Sequence, residues 1–167
     1  MKTPKKLKTL DIKLLILDVD GVLTDGKIYF SDNGMETKSF DVRDGIGLKL
    51  LLDNKIEVAV ISGRKSKATA KRLHELGIKH VYLGISDKIL PFNRLKKKLK
   101  LKNENVAYMG DDIPDLSIMQ TVGFSIAVAD ATPKILAAAN YIVKAKGGNG
   151  AVREACEMIL SSNTKSK

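Results

Sequence analysis

An α/β fold, Rossmann-like and built on a mostly parallel sheet with helices on both faces, is predicted by three observations. Short apolar runs recur at Leu14–Leu17, Ile56–Ile61, His80–Leu83, Val106–Met109, Phe124–Val128 and Tyr141–Val143. Segments that read as helices alternate with them, at Gly45–Asp53, Lys65–Leu76, Lys88–Leu99, Pro114–Thr121, Pro133–Ala139 and Ala151–Leu160. Carboxylates and hydroxyls gather just beyond the apolar runs, where ligands bind in such sheets. The length of 167 residues suits one domain, with a core over about 12–162 and no composition shift to mark a second.

Each element has its own signal. The run Leu14–Leu17 is continuously apolar, as expected of a strand buried on both faces. The next segment breaks the alternation: Lys27–Phe30 and Met35–Phe40 flank Ser31-Asp32-Asn33-Gly34, and Asn-Gly between two such runs is a hairpin signal. This hairpin over about 27–40 is read as an insertion projecting from the core. Further on, Leu95, Leu99 and Leu101 alternate with Arg94, Lys96, Lys97, Lys98, Lys100 and Lys102, as on a helix with one buried stripe and a solvated basic face. The stretch Gly147-Gly148-Asn149-Gly150 reads as a turn before the last helix.

Composition narrows the function classes. The chain is 44% hydrophobic, 29% charged and only 5% aromatic, which fits a globular protein with an aliphatic core. The net charge of +10 suits an anionic partner, but no aromatic residues interleave the lysine run to stack bases. A small anionic substrate drawn in by a positive field is expected instead, with no nucleic acid and no membrane partner. Some of that charge lies in basic tails, at Lys2, Lys5, Lys6, Lys8, Lys165 and Lys167. Cys156 is the only cysteine, so no intramolecular disulfide forms. The basic N-terminus never opens into a secretory apolar stretch, and no apolar run reaches the roughly 18 residues of a membrane span, so a cytoplasmic protein is expected.

The chemistry lies in two acidic clusters. Asp18 and Asp20 follow the first strand two residues apart and point the same way. Like charges so close resist joint ionisation unless a cation neutralises one or one keeps its proton. Both outcomes serve phosphoryl transfer, because one carboxylate can attack phosphorus while a second carboxyl protonates the leaving alcohol. Gly21 leaves room for phosphate to approach the backbone. Alone, Asp-x-Asp-Gly is equally a surface turn. Gly110-Asp111-Asp112-Ile113-Pro114-Asp115 places three more carboxylates after Val106–Met109, a donor set that suits magnesium. Asp112 also suits a helix cap with Pro114 in the first turn, so Asp112 or Asp115 can be structural while Asp111 binds metal. Between the clusters, Ser62 and Lys88 each open a helix, where a hydroxyl and an ammonium suit phosphate.

These four sites, in this order, resemble the haloacid dehalogenase superfamily of phosphohydrolases, over Leu14 to about Leu160. The resemblance implies that Asp18 is the nucleophile, Asp20 the general acid and base, and Ser62 and Lys88 the phosphate ligands. It implies Mg2+ held by Asp18, the Asp20 main-chain carbonyl and Asp111. The runs LDVDGVLTDG, FDVRDGIGLKLL, ISGRKS, NVAYMGDDIPDL and GGNGAVREAC are similar to a capless subfamily. Its substrate is 3-deoxy-D-manno-octulosonate 8-phosphate, an intermediate toward the inner sugar of bacterial lipopolysaccharide. On that likeness Asp20, Asp41, Val42, Arg43, Asp44, Gly45, Lys49, Arg64, Arg72 and Lys88 fall at substrate-contact positions. It also implies a homotetramer in which a neighbour closes each site, with Gly147–Gly150 as a mobile flap; separately, because a lone hairpin is marginally stable in water, Ile28, Phe30 and Phe40 are expected to pair or pack against copies in neighbouring subunits. Arginines at several distances suit a substrate carrying both phosphate and carboxylate. Arg72 alone has the plainer reading of a solvated helix position. Two positions depart from the subfamily, Asn149 and Lys49, each softening charge near the sugar. A nine-carbon 9-phosphate substrate and a non-catalytic assembly module are the alternatives.

Overall fold

The computed structural model describes residues 10–163. The basic tails expected at Lys2, Lys5, Lys6, Lys8, Lys165 and Lys167 lie outside the described residues. Strands β1 (Leu14–Leu17), β4 (Glu57–Ser62), β5 (His80–Leu83), β6 (Val106–Gly110), β7 (Phe124–Ala127) and β8 (Tyr141–Ile142) form one sheet in the order β5-β4-β1-β6-β7-β8. Every pairing in it is parallel. The remaining strands, β2 (Tyr29–Phe30) and β3 (Glu36–Thr37), pair antiparallel in a separate ribbon.

The helices are α1 (Val42–Asp53), α2 (Lys67–Glu75), α3 (Ile89–Lys98), α4 (Leu116–Met119), α5 (Pro133–Ala138) and α6 (Ala151–Asn163). Each crossover joins two parallel strands of the sheet, leftward to β4 and β5 and then rightward to β6, β7 and β8, so right-handed connections put α1 and α2 on one face and α3, α4 and α5 on the other. The α6 helix returns to pack on α1. All four residues of β1 are fully buried, which explains a central strand with no polar position.

The chain runs outward from β1 through β4 to β5, then crosses back to β6 and runs outward again. The order therefore reverses beside β1, which makes the carboxyl ends of β1 and β6 the switch point where such sheets bind ligands. Register fixes the level: Leu17 pairs with Val60 on one side and Met109 on the other.

Element boundaries moved in ways the caps explain. The first helix begins at Val42 and not Gly45, because the Asp41 side chain accepts from Arg43 N–H at 2.7 Å and caps it. Gly45 and Gly47, poor helix formers, earn their places by packing. A Cβ on Gly45 would stand 2.4 Å from Arg72 Nη2, and one on Gly47 3.0 Å from Arg153 Cα. Asp112 caps a short 3-10 turn over Ile113–Asp115 with Pro114 inside it, as the sequence suggested. The hairpin exists, but its strands are two residues long. Gly34, at φ +78°, is the left-handed residue after the turn, and Asn33 is not, so the loop is longer than a two-residue Asn-Gly turn.

Candidate active site

The apolar residues of β1 carry Asp18 to the switch point, and its N–H donates to Met109 O on β6 at 3.1 Å. Asp111 follows β6 directly. Glycine makes their approach possible: Gly21 has φ +87°, and a Cβ there would lie 2.0 Å from Asp111 Oδ2. Thr24 ties the loop down, its hydroxyl accepting from Gly21 N–H at 3.3 Å and Gly26 N–H at 3.2 Å.

Lys88, 4% exposed, enters from the start of α3. Its Nζ lies 2.7 Å from Asp115 Oδ1 and 3.0 Å from Asp18 Oδ1. Burial opposes that charge, but the two carboxylates outweigh it and hold the Lys88 pKa above the ordinary lysine value. Asp115 is saturated: Tyr108 OH donates to its Oδ1 at 2.6 Å, and the Asp111 and Asp112 amides donate to its Oδ2 at 3.0 and 3.3 Å. It is the scaffold of the cluster, orienting Lys88.

Asp18 and Asp111 differ from it. Asp18 Oδ1, though close to the lysine, makes no hydrogen bond of good geometry, and Asp111 Oδ1 is buried with no partner. Oxygens of Asp18, Asp111 and Asp115 all lie within 4.8 Å of one another. Burial, then repulsion from Asp115, raises Asp18 to about 6, and burial with repulsion from Asp115 and Asp18 raises Asp111 to about 8. Two under-satisfied carboxylates that resist ionising together are the donor set of a hard divalent cation. The residues present therefore fit magnesium, with Asp115 left to Lys88.

Ser62 ends β4, buried, and its Oγ accepts from Arg64 N–H at 3.4 Å. It does not cap the following helix, since that role belongs to Ser66. Asp20 faces a second group of charges. It pairs with Lys38 Nζ, and its Oδ2 lies 3.9 Å from Arg64 Nε. Arg64 also pairs with Glu36 on β3 at 2.5 Å. Sequence reasoning missed Glu36 and Lys38. The available signal was their spacing of two in an extended segment, which aims both at one side.

The other expected contacts are dispersed around α1. Val42 and Lys49 are exposed, and Arg43 is held by Asp41 at 2.7 Å. Arg72 reaches across to Gly45, so its guanidinium lies against α1 as well as near Glu75 at 3.8 Å. Asp44 turns inward, 1% exposed, where its carboxylate accepts from Arg153 N–H at 2.8 Å in the first turn of α6. Gly147–Gly150 is docked on the loop after β1 in this conformation: Gly148 N–H donates to Val22 O at 3.0 Å, and a Cβ on Gly147 would lie 1.9 Å from Gly21 O.

A family of haloacid dehalogenase-like hydrolases matches residues 84–155. The 3-deoxy-D-manno-octulosonate 8-phosphate phosphatase of Escherichia coli K12 is 51% identical over 158 residues, 95% of this chain and 84% of that protein. The chain belongs to that phosphatase family. A crystal structure of the family's Moraxella catarrhalis member, in complex with magnesium, phosphate and the KDO molecule, matches with TM-score 0.91 and 43% identity over 94% of this chain and 90% of that one. A cobalt-bound family member from Haemophilus influenzae matches with TM-score 0.89 and 44% identity over 97% and 94%. These relatives share the parallel sheet and the helices that place Asp18 and Asp111, and their family is one of hydrolases. Among the described residues no helix is long and apolar enough to cross a membrane.

Proposed function

We propose that this chain is a magnesium-dependent phosphomonoesterase that hydrolyses 3-deoxy-D-manno-octulosonate 8-phosphate to the free sugar acid and phosphate, in lipopolysaccharide precursor biosynthesis. The observation that carries the reading is the pair of under-satisfied carboxylates, Asp18 and Asp111, beside a buried lysine at the switch point. Its chain is half identical to the phosphatase that acts on this ester in Escherichia coli.

Asp18 attacks phosphorus in line with the ester oxygen. As the Asp18 O–P bond forms, the P–O bond to the sugar breaks, and Asp20 gives its proton to the departing alkoxide. Asp20 then takes a proton from water, which attacks the aspartyl phosphate and returns Asp18 and free phosphate. Lys88 and the Ser62 hydroxyl neutralise and hold the phosphoryl oxygens throughout, and Asp115 with Tyr108 keeps Lys88 aimed. Magnesium held by Asp18, the Asp20 main-chain carbonyl and Asp111 supplies charge neutralisation for the carboxylates and the phosphoryl group. Arg43, Arg64 and Arg72, with Asp41, Val42, Gly45 and Lys49 around them, form the substrate side in this reading, while Asp44, buried against α6, steadies α1 behind them.

The working form is a cytoplasmic homotetramer. Its support is the hairpin, where Ile28, Tyr29, Phe30 and Met35 are exposed on an element too short to be stable alone. Phe40 packs on the chain's own core, so it is not part of that surface. A free, buried Cys156 with its thiol pushed up by burial suits a reducing compartment.

The test is phosphate release from the eight-carbon 8-phosphate and the nine-carbon 9-phosphate, with magnesium and then with chelator. The reading expects the higher kcat/KM on the eight-carbon ester and no release with chelator. A higher kcat/KM on the nine-carbon ester would reassign the substrate, and release of neither would leave a non-catalytic module.

A further inference from the structure

Lys38 reaches the site from outside the sheet. It lies one residue past β3, and its side chain is only 1% exposed, a setting in which an ammonium persists only when paired. Its Nζ pairs with Asp20 Oδ1 and lies 3.5 Å from Glu36 Oε1. The other oxygen of Asp20 faces Arg64 Nε at 3.9 Å, and Arg64 is itself fastened to Glu36 Oε2 at 2.5 Å. Each Asp20 oxygen thus has its own cation, one from the hairpin and one from the loop after β4, and Glu36 ties the two cations together. The bond from Lys38 holds Oδ1 and restrains the turn of the carboxyl group, while Arg64, beyond hydrogen-bond reach at 3.9 Å, leaves Oδ2 open to carry the proton.

We propose that Lys38 is a positioning residue for Asp20, holding the carboxyl in the orientation that delivers its proton to the leaving-group oxygen. This rests on the reading of Asp20 as proton donor given above. Proton transfer needs the donor within hydrogen-bond reach of the departing oxygen, so a carboxyl that can turn loses rate only when the leaving group needs the proton. A sugar alkoxide is a poor leaving group and needs it; p-nitrophenolate leaves largely unaided. Loss of Lys38 therefore has a signature that general damage to the hairpin lacks.

The experiment measures kcat/KM, which reports steps up to departure of the leaving group, for the full chain with magnesium. The substrates are 3-deoxy-D-manno-octulosonate 8-phosphate and p-nitrophenyl phosphate, and the variants are Lys38→Met, Lys38→Arg and Asp20→Asn. Lys38→Met is expected to fall about tenfold or more further on the sugar ester than on p-nitrophenyl phosphate, a part of the roughly 10²–10⁴-fold that a positioned acid supplies. Asp20→Asn should show the same bias more strongly, and Lys38→Arg should recover most of the loss. Equal losses on both esters in Lys38→Met, beside a biased Asp20→Asn, would overturn the positioning role while leaving Asp20 as the donor. Equal losses in Asp20→Asn would instead remove the donor assignment, and this inference with it. Full activity of Lys38→Met on both esters would also overturn it. Should Lys38→Met melt early by circular dichroism, Lys38→Gln, which keeps a polar side chain, gives the same comparison.

Discussion

The floor of the site and the hairpin above it are held by different means. On the floor, Asp18, Ser62 and Asp111 stand at the ends of neighbouring parallel strands, and their heights follow from backbone register. Asp115 is saturated by four donors, so Lys88 has one place to go. The hairpin has two strands of two residues and leaves Phe30 65% exposed, yet it delivers Glu36 and Lys38 to the site. The difference separates two tasks. In the proposed reading, the groups that would meet phosphorus are fixed by the sheet, while those that would bear on the leaving group ride on a ribbon with little support of its own.

The comparison breaks most sharply at Asp18. Asn is nearly isosteric but a poor nucleophile, so Asp18→Asn should lower kcat by on the order of 10⁴ or more while far-ultraviolet circular dichroism stays unchanged. A variant keeping a tenth of the activity would mean that the floor does not hold the nucleophile. Gly21→Ala comes next. The new Cβ would lie 2.0 Å from Asp111 Oδ2 at a φ of +87°, so both the metal-side carboxylate and the loop must shift. A displacement of about 1 Å near the reacting atoms costs on the order of 10²-fold, seen here in kcat/KM together with a higher magnesium requirement in titrations of activity. Normal magnesium dependence in this variant would show that the loop after β1 tolerates more movement than its packing implies.

On the hairpin the effect should be smaller and of another kind. Ile28→Asp with Phe30→Asp puts two charges on the exposed apolar surface, and light scattering should show dissociation to a smaller species. Under the proposed assembly, activity should fall by roughly tenfold, because a neighbour that excludes water from the site would be lost. The thermal midpoint of the dissociated chain should change little, since neither side chain belongs to its core. A fully active monomer would show that the hairpin closes its own site without a partner.

What could be read from the sequence follows the same division. The sheet was legible because strands buried on both faces must be continuously apolar, and Leu14–Leu17 and Val106–Met109 are. The site residues attached to those strands came with them, since Asp18 and Asp111 are simply the next polar positions. Lys38 and Glu36 were not legible. Each looks like an ordinary charged residue on a solvated ribbon, and only the fold of the hairpin over Asp20 buries them. Asp44 was hidden for a related reason: its partner, the amide of Arg153, is 109 residues away. The start of α1 was misjudged because Gly45 and Gly47 weaken the helical signal, and their reason lies in the packing of Arg72 and Arg153 against them.

Asp44 gives the last and smallest test, because it is buried in the seam between α1 and α6, where it accepts from the Arg153 amide. Burial, the largest influence, raises its pKa to about 6 against hydrogen bonds from Arg153 and Gly150 that favour the charged form. A raised folded value means that the folded protein binds the proton more tightly than the unfolded chain does. The associated stability is therefore fully present below the ordinary aspartate value near 4, and it is lost as pH rises through about 6. The size of the shift bounds the whole effect at about 3 kcal/mol. Asp44→Asn keeps an oxygen for the Arg153 amide but cannot ionise, so its denaturant midpoint relative to the parent should rise between pH 4 and pH 7. Asp18 and Asp111 titrate identically in both proteins and cancel from the difference. With chemistry set by the floor, kcat should move by less than about threefold, well short of a one-unit, 1.4 kcal/mol change in barrier. A pH-independent difference in stability would show that the Asp44 carboxylate is already well solvated or paired, and a large loss of kcat would place Asp44 among the groups that meet the substrate.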